Sequence, residues 1–209
     1  MLVAVLGGSG RTGQLVVRHA IQAGHHVRVL VRDLTRAPTM LAPSDIVTGD
    51  PTSRNAIAAV LDGADAAISA LGPRAGGSTN GLCSTATGHV ADVAAGRPGF
   101  RYVVVSAAGV RGPADNTAFP ARIPSMIIRA LLGATYRDKD AEAEALTRSS
   151  LEWVLLRPPG LVDGPPKGKV RSDATRAGGG RITRDDLARF AVQMLSEPTY
   201  VRQAPFVSN

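Results

Sequence analysis

Glycine recurs every third residue in Gly7-Gly8-Ser9-Gly10-Arg11-Thr12-Gly13. Gly7, Gly10 and Gly13 fit G-x-x-G-x-x-G, while Gly8, Gly10 and Gly13 fit G-x-G-x-x-G. This spacing suits phosphate chemistry. The glycines let backbone approach a pyrophosphate, and a helix start behind them offers unpaired N–H groups and the positive end of its dipole. The flanks agree. The apolar run Leu2–Leu6 reads as a strand, and residues from Arg11 to Ala23 carry Val16, Val17, Ala20 and Ile21 at helical spacing, closed by Gly24. An ATP-hydrolysing P-loop needs Lys-Ser/Thr after its last glycine, and Gln14-Leu15 stand there instead.

The end of the second strand selects the nucleotide. An acid there takes ribose hydroxyls, whereas arginine takes a 2′-phosphate through its planar donor fork. Val31-Arg32-Asp33 closes that strand, Arg36 follows, and Arg11 in the glycine turn reaches the same region. These arginines favour NADP(H). Asp33 is the contrary signal, since a one-residue shift of the strand end puts an acid at the ribose. Asp50, in Gly49-Asp50-Pro51, suits either an adenine contact or a turn.

Strands and helices alternate along the chain, as a carrier of such a turn requires. Strands are expected at 27–31, 46–47, 64–71, 102–105 and 153–156, and helices at 53–61, 79–95, 136–148 and 184–197. Most strands are apolar on both faces, the mark of a parallel sheet covered on both sides. The expected fold is α/β, one Rossmann-like doubly wound parallel sheet in a single domain over 1–209. In the last helix Leu187, Phe190, Ala191, Met194 and Leu195 form one face, and Thr183 with Asp186 resembles a capping box. Segments 107–125 and 158–180 are rich in proline and glycine and follow strands. They are expected to wall a substrate pocket at the carboxyl edge of the sheet.

Composition narrows the partners. The 209 residues carry 24 Lys+Arg against 17 Asp+Glu, a net charge of +7. That balance suits nucleic acid, an anionic membrane or a phosphate-rich small molecule. The basic residues are scattered and the aromatics few, which argues against nucleic acid. No apolar run reaches the ~20 residues of a membrane helix, and no secretory signal is expected. A lone Cys83 builds neither a disulfide framework nor a Cys-rich zinc site, and the cytoplasm is the expected compartment. Cys83 and Trp153 are expected to pack, and His25 and His26 to lie at an exposed turn. No metal site is expected.

The glycine turn, Val31-Arg32-Asp33, Val103-Val104-Val105-Ser106, Leu156-Arg157-Pro158 and Thr183-Arg184-Asp185-Asp186-Leu187-Ala188 together resemble the atypical short-chain dehydrogenase/reductases. Within these the chain is similar to the small NAD(P)H-binding, NmrA-like group, which includes flavin reductases of the biliverdin-IXβ type. The resemblance spans about 1–205. It implies a Rossmann fold, NADPH and hydride transfer to a flat conjugated acceptor, such as a flavin, quinone or tetrapyrrole. It also implies roles. Gly7, Gly10, Arg11, Thr12 and Gly13 match the pyrophosphate turn, and Arg32 and Arg36 the phosphate-selecting arginines. Ser69, Ala70 and Leu71 match the stretch lying against the cofactor, and Ser106 the serine beside the nicotinamide.

Standard members also carry Tyr-x-x-x-Lys, in which lysine lowers the tyrosine pKa and tyrosine protonates the substrate oxygen. Here Tyr136 is followed by Lys139 at three residues and Asp140 at four. Lys139 still shares the tyrosine's helix face. The other reading is a solvated face on which Lys139, Asp140 and Glu144 form spaced ion pairs. Two functions follow. One is an NADPH-dependent reductase with Ser106, Tyr136 and Lys139 at its catalytic centre and a small-molecule acceptor. The other is a non-catalytic NADP(H) sensor acting through a protein partner. The oligomeric state, monomer or homodimer, stays open.

Overall fold

The computed structural model describes residues 1–73, 79–113, 115, 133–178 and 180–209. Six strands form the central sheet: β1 (Leu2–Leu6), β2 (His26–Val31), β3 (Ile46–Thr48), β4 (Ala66–Ser69), β5 (Arg101–Val105) and β6 (Glu152–Leu156). All pairings in it are parallel, in the order β3-β2-β1-β4-β5-β6. That is the doubly wound Rossmann order, with its switch point between β1 and β4. Helices α1 (Arg11–Gln22), α2 (Arg54–Leu61), α3 (Leu82–Val93), α4 (Gly133–Arg148) and α5 (Arg184–Gln193) cover it.

Alternation along the strands builds two cores. Val3, Val5, Val29, Ile68, Val103 and Val154 face α1 and α5, which pack on each other. Ala4, Leu6, Leu30, Ala67, Tyr102, Val104 and Trp153 face α2, α3 and α4. A strand buried on both faces has no polar phase, which is why these strands read as continuous apolar runs.

The differences from expectation lie at element ends. The fourth strand is shorter at both ends, Ala66–Ser69, and at its start the Asp65 carboxylate accepts the Leu2 N–H at 2.7 Å. The last helix stops at Gln193, with Met194 as its C-cap, though Met194 and Leu195 stay buried. The segment after β6 is more ordered than a bare loop. It contains β7 (Leu161–Val162), which pairs in parallel with β9 (Ile182–Thr183), and β8 (Arg171–Asp173), which pairs antiparallel with β10 (Phe206–Ser208). Of the expected pocket wall at 107–125, residues 114 and 116–125 lie outside the described residues. Cys83 and Trp153 are buried, as expected. His26 is exposed and meets Asp45 at 2.8 Å, whereas His25 is half-buried.

Candidate functional site

The glycines are required by close approach. Gly7 has φ +80°, and a Cβ there would lie 2.9 Å from the Ala70 carbonyl. A Cβ on Gly13 would lie 2.0 Å from the Gly7 oxygen, so helix α1 meets the turn with no room for a side chain. The Gly10 N–H closes the turn on the Gly7 carbonyl at 3.0 Å. Gly10 is also the N-cap of α1, brings no capping side chain, and is followed by no acid in the first turn. The N-terminal N–H groups therefore face the switch point without an internal side-chain acceptor at the cap. That is the arrangement which binds a pyrophosphate.

Arg32 follows β2 directly, and Arg36 closes a short 3₁₀ turn over Leu34–Arg36. Both guanidinium-bearing residues are exposed. Asp33 has a local task. Its Oδ1 accepts the Thr35 N–H at 3.0 Å and the Thr35 hydroxyl at 2.7 Å, capping the turn that carries Arg36. Asp50 likewise takes the N–H and hydroxyl of Thr52, at 2.8 and 2.6 Å. These hydrogen bonds, outweighing a small burial effect and helped by Arg32, hold the Asp50 carboxyl below its ordinary value. Of its two expected roles, the turn is the one seen. Arg11 extends from the start of α1 to Asp163 in the segment after β7, at 2.9 Å.

The ends of β4 and β5 bring up the remaining residues. The Ser69 side chain is buried, and its Oγ lies 3.5 Å from the Leu71 N–H. Ser106 is tied through its N–H to the Leu156 carbonyl at 2.8 Å, while its buried Oγ has no partner among the described residues. Leaving a buried hydroxyl unpaired costs about 1–3 kcal/mol. Tyr136 is half-buried, with its ring over Gly109, where a Cβ would lie 2.5 Å from Cε1. This places it beside the loop that leaves Ser106.

Of the two readings of Lys139, the solvated face fails, because the residue is buried, 5% exposed. Its Nζ donates to the Leu71 carbonyl at 3.1 Å, the Val105 carbonyl at 3.1 Å and Glu142 Oε2 at 2.9 Å. An ammonium has three hydrogens, and each finds an acceptor inside the protein. Burial disfavours the charge, but Glu142 and Cys83 together outweigh it and hold Lys139 up at about 12. The solvated face does exist on Glu144, which pairs with Arg148 four residues on.

Several organising residues carried no chemical signature in the sequence. Asp138 accepts the Cys83 and Ser84 N–H groups at 3.0 and 2.9 Å and the Ser84 hydroxyl at 2.6 Å. It caps α3 from another helix, because the N-cap Gly81 has no side chain to do so. Cys83 is an inert packing thiol, pushed up to about 12 by burial. Arg157 is fully buried and joins the Val110, Ala174 and Ala204 carbonyls to Asp115, with its guanidinium 3.7 Å from the Phe206 ring centre. Asp186 forms half of the expected capping box, since its N–H donates to Thr183 Oγ1 at 3.1 Å. Its carboxylate instead gathers the Lys167 and Gly168 N–H groups, at 2.7 and 3.1 Å. One sequence signal for the buried charges was available. The helix over 133–148 has no continuous apolar stripe, so charged residues had to fill part of its inner face.

Among the described residues no cluster of His, Cys, Asp or Glu suits a metal ion, and no helix is long and apolar enough to cross a membrane.

A parallel six-stranded sheet with a glycine turn at its switch point defines a Rossmann-type dinucleotide-binding protein. The model of the NAD(P)H-binding family matches residues 7–198, and the chain belongs to that family. It is 29% identical over 202 residues to an uncharacterized chloroplastic protein of Arabidopsis thaliana, covering 92% of this chain and 71% of the other. Its fold is shared with ChuY, an anaerobilin reductase of Escherichia coli O157:H7, at TM-score 0.78 and 22% identity over 99% of this chain and 96% of that one. It is shared too with SP1627 of Streptococcus pneumoniae, a candidate NADH-flavin reductase, at TM-score 0.73 and 21% identity over 99% and 98%. A short-chain dehydrogenase/reductase of Veillonella parvula superposes at TM-score 0.79 and 15% identity over 100% and 94%.

Proposed function

We propose that the chain is a cytoplasmic NADPH-dependent reductase of a flat conjugated acceptor of the flavin, quinone or tetrapyrrole class. The observation that carries this reading is the buried, unpartnered Ser106 hydroxyl, set beyond the Gly7–Ala70 approach on the same sheet edge. The dinucleotide, when bound, supplies the hydride. Gly7, Gly10, Thr12 and Gly13 shape the pyrophosphate cradle, and Arg11, Arg32 and Arg36 take the phosphates. Ser69, Ala70 and Leu71 form the floor, and Ser106 donates a hydrogen bond at the reacting end. NADP over NAD is favoured by the exposed Arg32 and Arg36 beyond β2, while Asp33 Oδ1, the contrary signal, accepts the Thr35 N–H and caps the turn between them.

Catalysis on such an acceptor rests on placement, because an electron-poor ring accepts hydride before a proton arrives from solvent. That suits a site in which all three Lys139 hydrogens have acceptors inside the protein. Tyr136, whose ring lies against Gly109 in the loop after Ser106, would supply a proton when the acceptor needs one. The same Lys139 geometry also supports the alternative, a non-catalytic NADP(H) sensor, because a tyrosine–lysine acid pair is then not required.

The deciding experiment mixes purified protein with NADPH and a panel of FMN, quinones and linear tetrapyrroles. Acceptor-dependent loss of absorbance at the reduced nicotinamide band is expected. Tight and equal binding of NADP+ and NADPH with no turnover across the panel would select the sensor.

A further inference from the structure

Four titratable side chains from α3 and α4 meet directly beneath the ends of β4 and β5. They are Cys83, Asp138, Lys139 and Glu142, and all are buried. Asp138 already has a task as the cap of α3. Cys83 contributes an Sγ contact to the Leu71 carbonyl at 3.7 Å. The Lys139–Glu142 pair has none that packing alone would demand. A buried ion pair is seldom more stable than apolar residues of the same volume. It is retained here all the same, with Glu142 fully buried. What the pair does hold is specific. Leu71 lies two residues beyond the end of β4, and Val105 is the last residue of β5. Neither carbonyl belongs to the ladder between these strands, whose last register pair is Ser69 with Val104. The ammonium therefore joins the two strands one step past the point where the sheet stops doing so. The residues it steadies are the neighbours of Ser69, Ala70 and Ser106.

We infer that Lys139 is a positioning residue, which crosslinks the Leu71 and Val105 carbonyls from below and so fixes the floor of the nicotinamide pocket, with Glu142 orienting its ammonium. This rests on the dinucleotide reading of the site. A lysine in this role never touches the cofactor. It differs from a lysine that binds ribose, because its donors point into the protein. It differs from a filler of the core, because its acceptors are the two strand ends that carry Ser106 and the Ser69–Leu71 stretch.

The test is the double variant Lys139→Met/Glu142→Leu, which removes both charges together at similar volume. Three quantities are read: Tm, the Kd of adenosine 2′,5′-bisphosphate, and kcat with NADPH and the best acceptor. The bisphosphate reports the glycine turn and the arginines, far from the strand-end tie. Positioning predicts a folded protein with unchanged bisphosphate affinity and kcat lowered about 10-fold or more, the scale expected when reacting groups are misplaced. Wild-type kcat in the folded double variant overturns the inference, and so does parallel loss of bisphosphate binding. Should the variant fail to fold, hydrogen exchange on the wild-type protein decides. The Ala70 and Ser106 amides, bonded to Leu6 and Leu156 at 2.9 and 2.8 Å, are then expected to exchange as slowly as mid-strand amides. Fast exchange, as at fraying ends, rejects the tie. Wild-type protein that binds neither NADPH nor the bisphosphate rejects the dinucleotide reading instead, and the exchange result still judges the tie.

Discussion

Asp163 holds Arg11 at 2.9 Å through one carboxylate oxygen and Arg184 at 2.7 Å through the other. It thereby bridges the glycine turn, the segment after β7 and the start of α5. On the proposed reading, in which Arg11 takes a dinucleotide phosphate, Asp163 and that phosphate compete for one guanidinium. Arg11 and Asp163 are both largely exposed, so water and salt screen the pair to about 0.2–1 kcal/mol. Asp163→Asn is therefore expected to tighten NADPH binding, by up to about fivefold. The gain should be largest at low ionic strength. Fluorescence titration at two salt concentrations checks this, and weaker binding by the variant would remove Asp163 from the competition.

Arg32 and Arg36 flank a turn that Asp33 caps, and neither is buried. A charge-assisted contact to a 2′-phosphate contributes about 1.5–3 kcal/mol. Arg32→Ala should raise the Kd of NADPH by about 10- to 100-fold and leave that of NADH nearly unchanged. Equal effects on both dinucleotides would defeat the 2′-phosphate assignment.

Arg157 joins four parts of the chain at one buried guanidinium. Replacing it by leucine strands the Val110, Ala174 and Ala204 carbonyls and leaves Asp115 without its ion partner. Removing one member of a buried pair costs about 3–5 kcal/mol. For a chain of this size, Arg157→Leu should lower Tm by roughly 10 °C. A drop of only a degree or two in a thermal melt would show that the carbonyls find other donors.

Asp186 gives the stability a pH dependence. Burial works against its ionised form, but the Lys167 N–H, the Thr183 hydroxyl, the Gly168 N–H and Arg189 together outweigh burial and hold its carboxyl below the ordinary range. A depressed folded pKa means that the unfolded chain binds the proton first. The stabilisation is complete above the unfolded value of about 3.9 and is lost as pH falls through the folded value. Asp186→Asn should be less stable than wild type at pH 7, and the difference should shrink on acidification from about pH 5 towards pH 3. Melts across that range would count against the assignment if the two curves stayed parallel.

Local sequence was enough for the sheet, the helices and the phosphate turn. Leu2–Leu6 followed by Gly7 to Gly13 states a strand, a turn and a helix start within a dozen residues, each by a rule of short range. The exposed positions of Arg32 and Arg36 just beyond β2 were legible for the same reason, since they depend only on where that strand ends. The pairing of β8 with β10 was not legible, because two three-residue strands over thirty positions apart carry no periodicity of their own. Lys139 shows the limit most clearly. Its position three residues after Tyr136 allowed either a catalytic neighbour or a solvated ion pair. Only the packing of α4 on α3, beneath the ends of β4 and β5, turned it inward to three internal acceptors. Local sequence determined the strand, glycine turn and helix start at the switch point. Tertiary structure decided which charges face solvent and which are buried on internal acceptors, because burial of a charge depends on partners that no local pattern brings together.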